Sequence, residues 1–171
     1  MTEDRKIFDV ATLGNYTKDT IVTAAGTQHA DGGGVNYSAH AAKALGRRVA
    51  AIMRLAAEDF HVVRSLEDAG ITVFATATPS SSLMRLEYPT DNPDERILTM
   101  ADTAGSFTPD QVRAIDARAF VISPSIRGEV PIETIRELRK KDTIISADAQ
   151  GFIRVRRPDH RLEHVAWPEQ E

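Results

Sequence analysis

Short apolar runs, each closed by glycine, proline or an acidic turn, alternate with stretches whose apolar residues recur at helical spacing. Ile7-Phe8-Asp9-Val10-Ala11-Thr12-Leu13 stops at Gly14 and predicts a buried first strand. The β-branched run 20–23 predicts a second. Asn36 to Ala44 is rich in alanine and leads to Gly46, a residue suited to a left-handed cap, so a helix is expected there. Arg48 to Met53 reads as a strand. Asp59 is expected to cap a helix from Phe60 to Ala69 that carries Val62, Val63 and Leu66 as one stripe and stops at Gly70.

From Ile71 to Met100 the rhythm changes. Ile71–Ala75, Ser82–Tyr88 and Arg96–Met100 are short strand candidates separated by Pro79, Pro89 and Pro93, and Asp91-Asn92-Pro93-Asp94 predicts a hairpin between the last two. After Gly105 the alternation of strand and helix resumes: a helix near Thr108-Pro109, a strand at Phe120-Val121-Ile122, a helix over Pro131–Lys141, and a strand from Thr143 that ends at Asp148. Such alternation predicts parallel βαβ units with right-handed crossovers. The tail after Arg154 shows no clear element, although it holds the single tryptophan, Trp167, before ending in Glu169-Gln170-Glu171.

With 171 residues, 42% apolar and 27% charged, the chain has the composition of one globular domain. Its net charge is −4 and its basic residues are scattered, which argues against nucleic acid as a partner. It has no cysteine, so disulfides and thiolate metal sites are excluded. Met1–Lys6 is charged and lacks a secretion signal, and no run is long enough for a membrane span. A cytoplasmic protein with no membrane partner is the expectation.

The sharpest local signal is Gly32-Gly33-Gly34 ahead of a helix. Without Cβ atoms the backbone can approach a ligand closely, and the free N–H groups of the helix start can bind oxygens; a plain turn is the alternative. Asp19 follows the first strand, where open α/β sheets place ligand contacts, and a carboxylate there can accept hydrogen bonds from neighbouring hydroxyls. A solvated surface aspartate is the alternative. A dinucleotide fingerprint is absent after the first strand, where Gly14-Asn15-Tyr16-Thr17-Lys18-Asp19 stands, and there is no P-loop. Arg127, beyond Ser123-Pro124-Ser125, can reach a phosphate or carboxylate, or simply face solvent. His160 and His164 lie in a tail with Pro158 and make no metal motif, so no metal ligands are expected. Ser80-Ser81-Ser82 lacks a nucleophile elbow. Arg85 and Glu87 share one face of a strand and fit cross-strand pairing or a partner contact.

Taken in order, Gly14-Asn15-Tyr16-Thr17-Lys18-Asp19, then Gly32-Gly33-Gly34-Val35-Asn36-Tyr37 leading to Ala44-Leu45-Gly46, resembles the first signature region of ribokinase-like (PfkB-type) carbohydrate kinases. The likeness continues through Arg54 to Phe60 and Ala69-Gly70-Ile71, and resumes at Ser146-Ala147-Asp148-Ala149-Gln150-Gly151. It covers nearly the whole chain but only the first half of such a kinase. The resemblance implies a three-layer, Rossmann-type α/β fold with a parallel sheet and a small β lid built from about 20–31 and 71–102. It implies that Asp19, Gly32 and Gly33 hold sugar hydroxyls, with Gly34, Asn36 and Tyr37 beside them. A homodimer or higher association through the lid or an exposed sheet edge is expected.

Two departures from the family pattern matter. Tyr37 stands where the family carries a sugar-binding asparagine, with Asn36 one place early, which argues against ribose. The opening Gly-Asn-Tyr-x-x-Asp is closer to the inositol-kinase-like branch. The family's late Gly-Ala-Gly-Asp segment, with its catalytic base and its ATP and Mg²⁺ sites, is missing. The expectation is therefore the substrate-binding part of an ATP-dependent sugar or polyol kinase, inactive alone. A nucleoside kinase and a non-catalytic binding or dimerisation module are the alternatives, and fold-level likeness does not choose among substrates.

Overall fold

The computed structural model describes residues 7–168, so Met1–Lys6 and Glu169-Gln170-Glu171, on which the leader and tail-end readings rest, lie outside the described residues. Five parallel strands form the central sheet: β1 (Ile7–Leu13), β4 (Val49–Ala56), β5 (Thr72–Thr78), β8 (Asp116–Ile122) and β9 (Ile144–Ala147), in the order β5-β4-β1-β8-β9. The chain moves outward from β1 on one side and returns to fill the other. Ligand crevices form where strand order reverses in this way, at the carboxyl ends of the strands.

The two-residue period of β4 explains the layers. Val49, Ala51, Met53 and Leu55 pack against α1 (Gly34–Ala44) and α2 (His61–Asp68). Ala50 and Ile52 point the other way, into a second core with Leu13, Phe120, Val112 and Leu138. There α3 (Asp110–Arg113) and α4 (Ile132–Leu138) cover the sheet. A strand buried on both faces must be apolar at every position, as β4 nearly is. β9 lies at one edge of this sheet, with Ile144 71% exposed.

A second sheet carries β2 (Thr17–Thr23), β3 (Gly26–Gly32), β6 (Ser82–Glu87) and β7 (Ile97–Met100) in the order β3-β2-β6-β7. It is built from two insertions into the βαβ chain, and its β6–β7 hairpin has the expected antiparallel register. One boundary differs from expectation. The strand starting near Ile71 pairs with β4 in the central sheet, because its register from Ala50↔Thr72 to Ala56↔Thr78 continues the parallel ladder. Asp59 differs too: it lies in a single 3-10 turn, Ala57–Asp59, and caps no helix. Its carboxylate instead accepts from Lys18 Nζ at 2.9 Å and Ser81 Oγ at 2.6 Å, joining the second sheet to β4.

The tail is more ordered than its sequence indicates. A short helix, α5 (Gln150–Ile153), leads into a hairpin of β10 (Arg154–Arg156) and β11 (Leu162–His164). Met100 N donates to His160 O at 2.9 Å, so this hairpin props the end of β7. Trp167 stacks on Phe152 with ring centroids 4.6 Å apart. No described helix is long and apolar enough to cross a membrane.

Candidate functional site

The loops leaving β1 and β8 meet closely: a Cβ on Gly14 would fall 2.5 Å from Ser123 O. Glu129 locks this seam. Its Oε1 accepts from Asn15 N at 2.6 Å and its Oε2 from Ser125 N at 2.9 Å, so one buried side chain fixes both strand-end loops. Burial outweighs these N–H bonds and pushes its carboxyl up to about 7. Asn15 also donates from Nδ2 to Gly105 O at 2.8 Å.

Beyond the seam the chain turns into β2. Tyr16 is buried and donates to Asp31 Oδ1 at 2.6 Å, and burial followed by this bond pushes its phenol up. Thr17 and Asp19 then point to one face of the second sheet, together with Met84, Leu86 and Leu98 of β6 and β7. That face roofs a cavity of about 280 Å³. Gly33, Gly34 and Tyr37 line it, together with Ser125 and Asp148 from the loops after β8 and β9, Gln150 at the start of α5 and Arg154 at the start of β10. The volume is near the lower end for small-molecule pockets.

Within it Asp19 is mostly enclosed. Burial raises its carboxyl above the ordinary range, opposed by a hydrogen bond from Thr17, and Asp31 adds to the rise. One oxygen, Oδ1, is buried with no partner among the described residues. A buried acceptor without a donor is costly, and a ligand hydroxyl would relieve it. Gly32 makes room for this arrangement: a Cβ there would lie 2.1 Å from Asp19 Oδ2. Gly33 has φ +97°, and its Cβ would lie 2.6 Å from Asn15 O, so the turn into α1 requires glycine.

Of the residues singled out in the sequence, Asp19, Gly33, Gly34 and Tyr37 line this one cavity, and Gly32 underlies Asp19. Asn36 donates from Nδ2 to Asp31 O at 3.3 Å and is absent from the lining. Arg127 is a correction. It lines a separate depression beside Trp167 and gives Nε to Phe152 O at 2.6 Å and one terminal nitrogen to Val165 O and Ala166 O at 2.7 and 2.8 Å. Its donors secure the tail, which leaves it no role in the cavity. Arg96 and Arg154 line the cavity but carry no sequence motif, since each joins it from an element distant along the chain.

No family model and no curated protein matches the chain. Solved structures do. A pyrophosphate-dependent kinase in the ribokinase family, complexed with a pyrophosphate analog and myo-inositol, is 29% identical with TM-score 0.84; the match covers 92% of this chain and 55% of that one. A pyrophosphate-dependent myo-inositol-1 kinase converted into a myo-inositol-3 kinase is 30% identical, with TM-score 0.82 and coverage of 93% and 54%. An Arabidopsis thaliana ribokinase complexed with ribose and ATP shares the fold at 16% identity, TM-score 0.61, over 85% and 54%. This chain thus spans about half the length of the structures it matches.

Proposed function

Because the chain carries the fold of the N-terminal portion of the ribokinase family, we propose that it is the acceptor-binding part of a kinase that phosphorylates a hydroxyl of a cyclic polyol or sugar. The observation that carries this reading is Asp19 Oδ1 on β2, buried without a partner among the described residues in a cavity that Gly33 and Gly34 also line. An ionised carboxylate is an acceptor only, so it selects ligands that present O–H groups, and two adjacent hydroxyls satisfy both oxygens. Tyr37 offers a phenol at the wall, with a longer reach than an amide. The likeness to a structure holding myo-inositol favours a cyclic polyol over ribose.

On the second sheet's side the cavity is lined by apolar Met84, Leu86 and Leu98 together with the polar Thr17, Asp19 and Arg96, and closing such a lid over a bound ligand excludes water. Phosphoryl transfer also needs a base and groups that stabilise charge on the migrating phosphoryl. The described residues include no cluster of three or more His, Asp or Glu able to hold a metal ion. ATP with Mg²⁺ is the expectation from the sequence, whereas two of the similar structures are pyrophosphate-dependent.

Calorimetric titration of the 171-residue chain with myo-inositol, ribose and adenosine tests the reading. Myo-inositol is expected to bind best, and Asp19→Asn to weaken it at least about tenfold, because a buried hydroxyl loses its acceptor. Phosphorylation of the polyol by the purified chain, with ATP or pyrophosphate, is expected to be undetectable. Equal binding by wild type and Asp19→Asn would overturn the assignment of Asp19.

A further inference from the structure

In the cavity that Asp19 lines, the first residue of β10 places a guanidinium where little answers it. Arg154 is 5% exposed. It donates one long bond, 3.4 Å, to Ser125 O, while its Nε is buried without a partner among the described residues. Arg96, just before β7, lines the same cavity from the lid side. The two guanidiniums are near enough that Arg96 helps hold the pKa of Arg154 below its ordinary value, behind the larger effect of burial.

The carboxylates sharing the cavity are Asp19 and Asp148. Asp148 counteracts part of the repulsion at Arg154, yet its Oδ1 accepts from Gln150 N at 2.9 Å instead of from the guanidinium. Asp19 Oδ1 is left unbonded by the described residues. The arrangement therefore holds two like charges turned toward one space, one of them buried with an idle donor. Such a group is expensive to bury unless a counter-charge arrives. Planar guanidiniums present paired N–H donors whose spacing matches the oxygens of phosphate or carboxylate.

We propose that Arg154 and Arg96 form an anion-binding subsite, which takes phosphate or carboxylate oxygens at one end of the cavity while Asp19 takes hydroxyls at the other. This deepens the polyol-kinase reading, on which it rests, by defining the ligand as bipartite. The anion has two possible sources: an acidic group on the acceptor itself, or a phosphate of the donor.

The test titrates the full chain, at fixed salt, with myo-inositol, an inositol monophosphate and inorganic pyrophosphate. It uses wild type, Arg96→Met, Arg154→Met and Asp19→Asn. The anionic probes are expected to bind, and each arginine substitution to weaken them at least about tenfold and by a larger factor than it weakens myo-inositol. Monophosphate binding tighter than myo-inositol, with pyrophosphate silent, assigns the anion to the acceptor. Pyrophosphate binding that Arg96→Met abolishes assigns it to the donor. Arg96 is exposed, so Arg96→Met decides the question even if Arg154→Met fails to fold. The proposal is overturned if wild type binds neither anion, or if Arg96→Met binds both anions as wild type does. Loss of myo-inositol binding in every protein with anion binding intact would instead sink the polyol reading and leave the subsite standing.

Discussion

Two neighbouring regions at the carboxyl ends of the strands treat their charged side chains in opposite ways. In the seam between the β1 and β8 loops, Glu129 is buried and both its oxygens are bonded to backbone N–H groups. Beside it Arg127 gives its donors to three carbonyls. In the cavity, Asp19 Oδ1 and Arg154 Nε are buried with none of the described residues bonded to them. A charged group whose bonds are made contributes rigidity, as Glu129 does even though Asn15 Oδ1 beside it has no partner among the described residues. One left unbonded costs stability until a ligand completes it. The seam therefore sets where the loops stand, and the cavity carries the recognition.

The largest expected effect removes the seam. Glu129→Ala leaves the buried N–H groups of Asn15 and Ser125 without acceptors, and each such loss costs about 1–3 kcal/mol. A drop of about 2–5 kcal/mol in urea unfolding is expected, a large part of the stability of an ordinary domain. Unchanged stability would show that the seam is not the fixed half of the pair.

The contrast also marks what the sequence can reveal. Alternating strand and helix runs specify the parallel sheet, whose strand β4 puts residues into both cores, and the run of glycines announces a backbone that must come close to something. Asp19 is legible from its place after β1. Glu129 is not: in Arg127-Gly128-Glu129-Val130-Pro131 it reads as a loop acid, and only the fold brings Asn15, 114 residues away, onto its oxygen. Arg127 is misread for the same reason in reverse, since the carbonyls of Val165 and Ala166 arrive from a tail with no periodic pattern. Likewise local turn signals place β5 in the lid, while pairing with β4 decides its sheet. Local chemistry is readable wherever its partners are near in sequence.

The seam should also leave a signature in pH. Glu129 ionises at about 7 in the folded chain, against 4.5 as its ordinary value. Between these values the folded state binds the extra proton, so stability falls as pH rises from about 4.5 to 7 and is level beyond. Comparison with Glu129→Gln, which does not titrate, isolates the effect: the wild-type advantage should shrink by up to about 3 kcal/mol across that window. Asp9, held down to about 2 by its hydrogen bonds from Arg48, acts below this range and is common to both proteins. A difference that stays constant from pH 4.5 to 7 would mean the Glu129 carboxyl is not held up by burial.

The finest separation comes from adjacent glycines. In Gly33→Ala the new methyl would meet Asn15 O at 2.6 Å on a backbone with φ +97°, and neither the carbonyl nor the turn can yield cheaply. About 1–3 kcal/mol of stability should be lost. In Gly32→Ala the methyl meets the end of the Asp19 side chain, at 2.1 Å from Oδ2, and Thr17 Oγ1 at 2.6 Å. Side-chain ends can rotate away, so the stability cost should stay below about 1 kcal/mol. The rotation, however, swings the carboxylate off the cavity. Polyol affinity measured by calorimetry should therefore fall more in Gly32→Ala than its unfolding midpoint suggests. If Gly32→Ala loses stability and keeps its affinity, then Asp19 is a structural acid like Glu129, and the distinction between seam and cavity dissolves.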